Sequence, residues 1–261
     1  MLTVRSEGPP WEVVTPCYNT ARIAEGLAIS GPVDVLIDPG HGGEESGAVG
    51  PNGLREADLN LLVAEALRTR LLDAGYSVLL TRYSDHRMAI QARTDLAQAL
   101  QPRLFISIHH NGGFPDPVDQ PGTEVFVQYG DEESRRLGGL LWEEMQEEFA
   151  DLDIPWVGTD ALGVSWRQNE SGTDLYGILR RTPELVTVLT EAMYMTTEAE
   201  AEFLATDEAV EREADALLRG IVRWFDTQDE GSGHIDGLVF RGDLGNGGGT
   251  EGCIDPPGSG S

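Results

Sequence analysis

Lysine is absent from this chain, and its 18 basic residues are all arginine, against 45 acidic ones. The formal charge is -27, so the surface repels nucleic acid and anionic lipid and excludes both as expected partners. The imbalance reads as solubility, or as adaptation to salt, where screening relieves self-repulsion. No apolar run is long enough to span a bilayer, which excludes membrane insertion of this sequence. The opening Met-Leu-Thr-Val-Arg-Ser-Glu-Gly-Pro-Pro holds no apolar signal core. Cysteine is scarce: Cys17 and Cys253 stand near opposite ends, a spacing that excludes a zinc knuckle. They are either two free thiols or one disulfide closing a very long loop. In an oxidising compartment they are expected to bridge and to pin the C-terminal segment to the N-terminal strands.

A chain of 261 residues, 40% of them hydrophobic, suggests one sizeable domain. Residues 1–30 read as an N-terminal extension with short strands. From 31 to 228, apolar runs alternate with amphipathic stretches. Strands are expected at Val33–Ile37, Ser77–Thr81, Leu104–His109, Thr123–Gln128, Leu175–Leu179 and Val186–Thr190, and helices at Glu56–Ala74, Met88–Leu100, Asp131–Ala150 and Asp207–Asp226. This alternation predicts an α/β domain, a mostly parallel sheet with helices on both faces. Residues 151–174 read as irregular. Glu143, Glu144, Glu147 and Glu148 read as a solvated helix face. Residues 229–261, rich in Gly, Asp, Ser and Pro, read as a disordered tail.

Several apolar runs end in a residue able to bind metal or move protons. Val33–Ile37 runs into Asp38-Pro39-Gly40-His41-Gly42-Gly43, where Pro39 stops the ladder and the glycines permit a tight turn. Glu56 opens the following helix on the face of Leu59, Asn60 and Val63, where a carboxylate is costly unless paired or coordinating. A first-turn Glu favoured by the helix dipole fits that position as well. Phe105-Ile106-Ser107-Ile108-His109-His110-Asn111 ends in two histidines that point to opposite sides of a strand. The residues alone leave His109 and His110 undecided. Val186–Glu191 ends in an acid. Two histidines and two carboxylates at strand and helix ends can converge on one sheet edge. His₂Glu with an open fourth position is a catalytic zinc arrangement, and a nearby acid can take a proton from water.

These motifs together resemble the type 3 zinc-dependent N-acetylmuramoyl-L-alanine amidases, over about Val33 to Trp224. Asp38–Gly43 matches the family's opening Gly-His-Gly-Gly motif, and Arg55-Glu56-Ala57-Asp58-Leu59-Asn60 its helix-opening glutamate. Ser107-Ile108-His109-His110-Asn111 matches Ser-Ile-His-Ala-Asn, with His110 in place of a small residue. Leu189-Thr190-Glu191-Ala192-Met193 matches the last motif, with Ala192 and Met193 replacing Leu and Gly. Ile178-Leu179-Arg180 resembles the family's Val-Leu-Arg. The resemblance implies His41, Glu56 and His109 as ligands of one Zn²⁺ per chain, and Glu191 as the catalytic acid-base. It implies cleavage of the amide between N-acetylmuramic acid and L-alanine of the stem peptide, in the cell envelope or outside the cell, with peptidoglycan as partner and a monomer as default state. Asn111 and Arg180 are candidates for contacts with substrate, or simple structural hydrogen bonds. His110 could narrow the cleft or act as a spare donor. No inhibitory helix is expected in 112–122 or 151–174. Two other readings remain at this level: an inactive wall-binding module of the same fold, and a zinc amidase for a different amide.

Overall fold

The computed structural model describes all residues except 27–28, 114, 160–161, 236–238, 241–247 and 258–261. In chain order the elements are β1 (Thr3–Val4), β2 (Trp11–Val14), β3 (Thr20–Ile23), β4 (Val35–Pro39), α1 (Glu56–Asp73), β5 (Val78–Leu80) and α2 (Ile90–Leu100). Next come β6 (Leu104–Asn111), β7 (Asp116–Val118), β8 (Glu124–Val127), α3 (Glu132–Phe149), β9 (Trp156–Gly158), β10 (Gly163–Ser165) and β11 (Arg167–Gln168). The chain closes with α4 (Gly177–Arg180), β12 (Thr187–Tyr194), α5 (Glu198–Leu204), α6 (Asp207–Asp226) and β13 (Val239–Phe240).

The main sheet has the order β10-β8-β12-β6-β4-β5. Every neighbour pairing is parallel except β12 with β8, so β8 and β10 run against the other four strands. Strand alternation divides the core. Val35, Ile37, Ile106 and Ile108 face α1, α3 and α6, with Leu67, Leu141 and Leu217 packed among them. Leu36, Phe105, Phe126 and Leu189 face the other way, toward Leu96 of α2 and Leu179 of α4. Helices therefore cover both faces of the sheet.

Three expectations need correction. Leu175–Leu179 is not a strand: α4 makes a single turn there, closed by Thr182 Oγ1 on the Ile178 carbonyl (2.7 Å). Both edges of β12 are already paired, by β6 and β8, so the run has no ladder beside β12 to join. The acidic face of α3 is not simply solvated. Glu144 is buried between Arg219 (2.6 Å) and Arg223 (2.7 Å) of α6, while Glu143 and Glu148 pair with Arg223 and Arg219. Only Glu147 of the four is exposed. The third correction concerns the segment after 228, whose described part is held in place. Cys253 is disulfide-bonded to Cys17, and Asp255 accepts hydrogen bonds from Thr15, the Cys17 amide and Asn19. The rest of that segment lies outside the described residues.

Residues 1–23 form a three-stranded antiparallel sheet, whose Val14 joins the α2-side core. The stretch 151–174, read as irregular, contains β9, β10 and β11, and no helix occurs in 112–122 or 151–174 among the described residues. No helix is long and apolar enough to cross a membrane among the described residues.

Candidate metal centre

β4, β6 and β12 lie side by side and parallel, so their C-terminal ends share one edge of the sheet. β4 ends at Pro39, and the turn beyond it is fixed by two buried arginines. Arg93 of α2 donates to the Asp38 carboxylate (2.5 Å) and to the carbonyls of Pro39 (2.8 Å) and His41 (2.7 Å). Arg82 donates to the carbonyls of Pro39 (3.0 Å), Gly40 (3.0 Å) and Ala57 (2.7 Å). Asp38 is buried and satisfied, with Thr81 at 2.6 Å and Ser107 at 2.8 Å. The clamp holds His41 in the left-handed region, at φ 60°. A non-glycine residue tolerates that conformation only where its surroundings impose it.

Glu56 opens α1 beneath this turn. One of its oxygens, Oε1, lies 3.1 Å from His41 Nε2 and 2.9 Å from His109 Nδ1. The other, Oε2, accepts the Ala48 amide at 2.8 Å. One donor atom from each of the three residues falls within 4.8 Å of the others, and these are the three candidate ligands. Ligands ~2 Å from one tetrahedral zinc stand ~3.3 Å apart, close to the separations seen here. Two imidazole nitrogens aimed at one carboxylate oxygen form a donor set suited to a cation between them. The backbone makes room for it. A Cβ on Gly40 would lie 2.2 Å from the His109 ring, and one on Gly47 would lie 2.3 Å from Glu56 Oε2. Glu45 orients His41 from behind, at 3.1 Å from Nδ1, and is itself paired with Arg87 at 3.2 Å.

The electrostatics follow from sharing one carboxylate. Burial opposes charge on His41, but its hydrogen bonds to Glu45 and Glu56 prevail and raise it to about 9. Burial wins at His109 and lowers it despite Glu56. Glu56 is desolvated too, yet the two histidines hold it well below the ordinary carboxylate range.

Glu191 stands on β12 level with His109 on one side and Glu124 on the other. The two acids differ in their partners. Glu124 is fully engaged, accepting from Arg167 (3.0 Å), Thr159 (3.3 Å), Asn111 (2.8 Å) and Tyr194 (3.2 Å). Glu191 Oε2 is shut away from water and has no hydrogen-bond partner among the described residues. Burial, then the charges of Glu56 and Glu124, push Glu191 well above the usual range. Glu56 and Glu191 are thus driven in opposite directions, as the carboxylates of an acid-base site are.

Asn111 is therefore occupied by Glu124. Arg180 bonds the Asp174 and Leu175 carbonyls. The His110 ring is buried on the opposite side of the sheet from His109, so it neither narrows the cleft nor serves as a spare side-chain donor there; only its backbone amide reaches Glu56 Oε1, at 3.3 Å. Sequence reasoning missed the Arg82–Arg93 clamp, Glu45 and the Glu124 network.

Known proteins resemble this chain in sequence and fold. A family described as N-acetylmuramoyl-L-alanine amidase (Amidase_3) matches residues 35–223. YqiI of Bacillus subtilis (strain 168), itself uncharacterized, is 33% identical over 215 residues, covering 82% of this chain and 92% of that protein. The N-acetylmuramoyl-L-alanine amidase LytC of the same organism is 30% identical over 216 residues, 81% of this chain but 39% of LytC. Among solved structures, the amidase AmiC2 of Nostoc punctiforme superposes with a TM-score of 0.59 at 28% identity, covering 76% of this chain and 99% of that one. With the matched span running from β4 into α6, this chain belongs to the type 3 N-acetylmuramoyl-L-alanine amidase family.

Proposed function

We propose that this protein is a zinc-dependent peptidoglycan amidase, hydrolysing the bond between the lactyl group of N-acetylmuramic acid and L-alanine of the stem peptide. Residues 31–228 form the catalytic domain, flanked by the extension 1–30 and the segment 229–261. His41, Glu56 and His109 hold the metal. Zinc bound there supplies Lewis-acid polarisation of the scissile carbonyl. The Glu191 carboxylate receives the proton of the attacking water as the water oxygen bonds to the carbonyl carbon. It returns that proton to the amide nitrogen as the C–N bond breaks, leaving a lactyl carboxylate and a free L-alanine amine. Asn111, Tyr194, Thr159 and Arg167 keep Glu124 occupied, so Glu191 remains the free base. The protein works at or beyond the cell envelope, where peptidoglycan lies; the Cys17–Cys253 bridge supports an oxidising compartment.

The observation that carries this reading is the unpartnered Glu191 Oε2 beside a three-donor metal group. Glu191→Gln tests it. The variant is expected to keep about one zinc per chain and to bind murein sacculi, while stem-peptide release falls by ~10²–10⁴-fold. Mass analysis of released fragments identifies the bond. Near-normal hydrolysis by the variant would remove Glu191 from the mechanism.

A further inference from the structure

His110 occupies a position where the resembled family carries a small residue, and its ring faces away from the cleft into the α1–α6 side of the core. Its side chain is 0% exposed and lies 2.9 Å, through Nε2, from Glu213 Oε2 of α6, whose side chain is 1% exposed. Its Nδ1 lies 2.8 Å from Asn60 Oδ1 of α1. Asn60 in turn directs Nδ2 at Glu56 Oε1 and at the Gly40 carbonyl, both at 3.3 Å. Glu56 Oε1 and Gly40 O are acceptors only, so the nitrogen of the Asn60 amide must face them and its oxygen must face His110. His110 Nδ1 therefore carries a proton. That donor anchors the oxygen end of the amide and so reinforces the orientation that Glu56 and Gly40 require at its nitrogen end, fixing where Asn60 Nδ2 meets Glu56.

A buried pair of this kind adds little stability over apolar residues of similar volume. Glu213 Oε1 is even left without a partner among the described residues. Its position gives it another use. Partners behind a metal ligand set that ligand's orientation and basicity.

We propose that Glu213 and His110 are positioning residues for the metal ligand Glu56, acting through the Asn60 amide from the far side of the sheet. The proposal rests on Glu56 being a zinc ligand. It goes beyond that reading by tying the centre to α6, which contributes no ligand.

The test is the zinc dissociation constant of the full chain, measured by competition with a chromophoric chelator, with the visible spectrum of the cobalt-substituted protein as a second readout. Asn60→Ala is expected to weaken zinc binding ~10–100-fold, the usual cost of losing a partner behind a ligand. His110→Ala is expected to weaken it ~10-fold, and the double variant no more than the worse single one, because both act through one amide. Glu213→Leu removes the partner that holds the His110 ring against Asn60 and should weaken binding, whereas Glu213→Gln can still hydrogen-bond Nε2, keep the ring in place and restore affinity. The Glu213 pair decides the matter if His110→Ala does not fold. Folded His110→Ala and Glu213→Leu proteins with wild-type affinity and cobalt spectrum overturn the proposal, as do losses that multiply in the double variant. A wild-type chain that binds no zinc overturns the site reading and this inference together.

Discussion

Gly40→Ala probes how tightly the metal site is built. The added methyl would lie 2.2 Å from His109 Cε1, 2.4 Å from Nε2 and 2.6 Å from Nδ1. Carbon contacts settle at ~3.5–4 Å, so one side must give by roughly 1 Å or more. The backbone is poorly placed to do so. The Gly40 amide donates to Ile108 O at 3.0 Å, and its carbonyl accepts from Arg82 at 3.0 Å and Asn60 at 3.3 Å. The His109 ring must retreat instead, losing its 2.9 Å approach to Glu56. Metal sites tolerate departures of only ~0.2 Å in ligand distance, so zinc should be lost at free concentrations that saturate the wild type. Overpacking should cost ~1–3 kcal/mol of fold stability, leaving a folded, metal-poor protein. Gly53→Ala is the control: φ there is 85°, but no atom lies within 4 Å of the new Cβ, so only ~1–2 kcal/mol of backbone strain is expected and zinc is kept. The assay is zinc per chain by atomic absorption after dialysis at fixed free zinc, alongside thermal melts. Full zinc occupancy and wild-type turnover in Gly40→Ala would refute the close-approach argument.

Two more outcomes are open to measurement. Reducing the Cys17–Cys253 bridge opens a loop spanning 236 residues in sequence and should remove ~2–5 kcal/mol, lowering the melting temperature by ~5–20 °C; coincident melts with and without reductant would contradict this. Glu200 is fully buried, and burial raises it to about 7 against the Tyr194 and Val157 amides that bond it. Its folded pKa exceeds the model-peptide 4.5, so its contribution is complete below pH ~4.5 and is lost as pH rises through about 7. Wild type should therefore lose ~3 kcal/mol relative to Glu200→Gln between pH 4.5 and 8 in urea titrations, and parallel pH profiles would refute it.

The parts of the site that were legible in the sequence are local ones. Three apolar runs end within a few residues of a chemical group, at His41, His109 and Glu191, and parallel strands gather such ends on one edge. Strand alternation placed His109 and His110 on opposite sides but could not say which side held the cleft, because that depends on where α1 docks. Features that depend on distant partners were not legible. Arg82 and Arg93 look like ordinary surface arginines until the fold brings them to Asp38 and the carbonyls around His41. Glu144 looks solvated until Arg219 and Arg223 arrive from 75 and 79 residues away. Leu175–Leu179 is too short for its apolar pattern to separate a strand from one helical turn.

The Cys17–Cys253 bridge also has a mechanical meaning. All four proposed active residues, from His41 to Glu191, lie between the two cysteines. A pull on the chain from outside residues 17 and 253 is carried by the sulfur–sulfur bond, and the sheet between them bears no load. Tension on the flanks acts on the segments outside the bridge and stops there. The geometry around Glu56 is thereby insulated from any strain transmitted along the polypeptide, whatever the wall around it is doing.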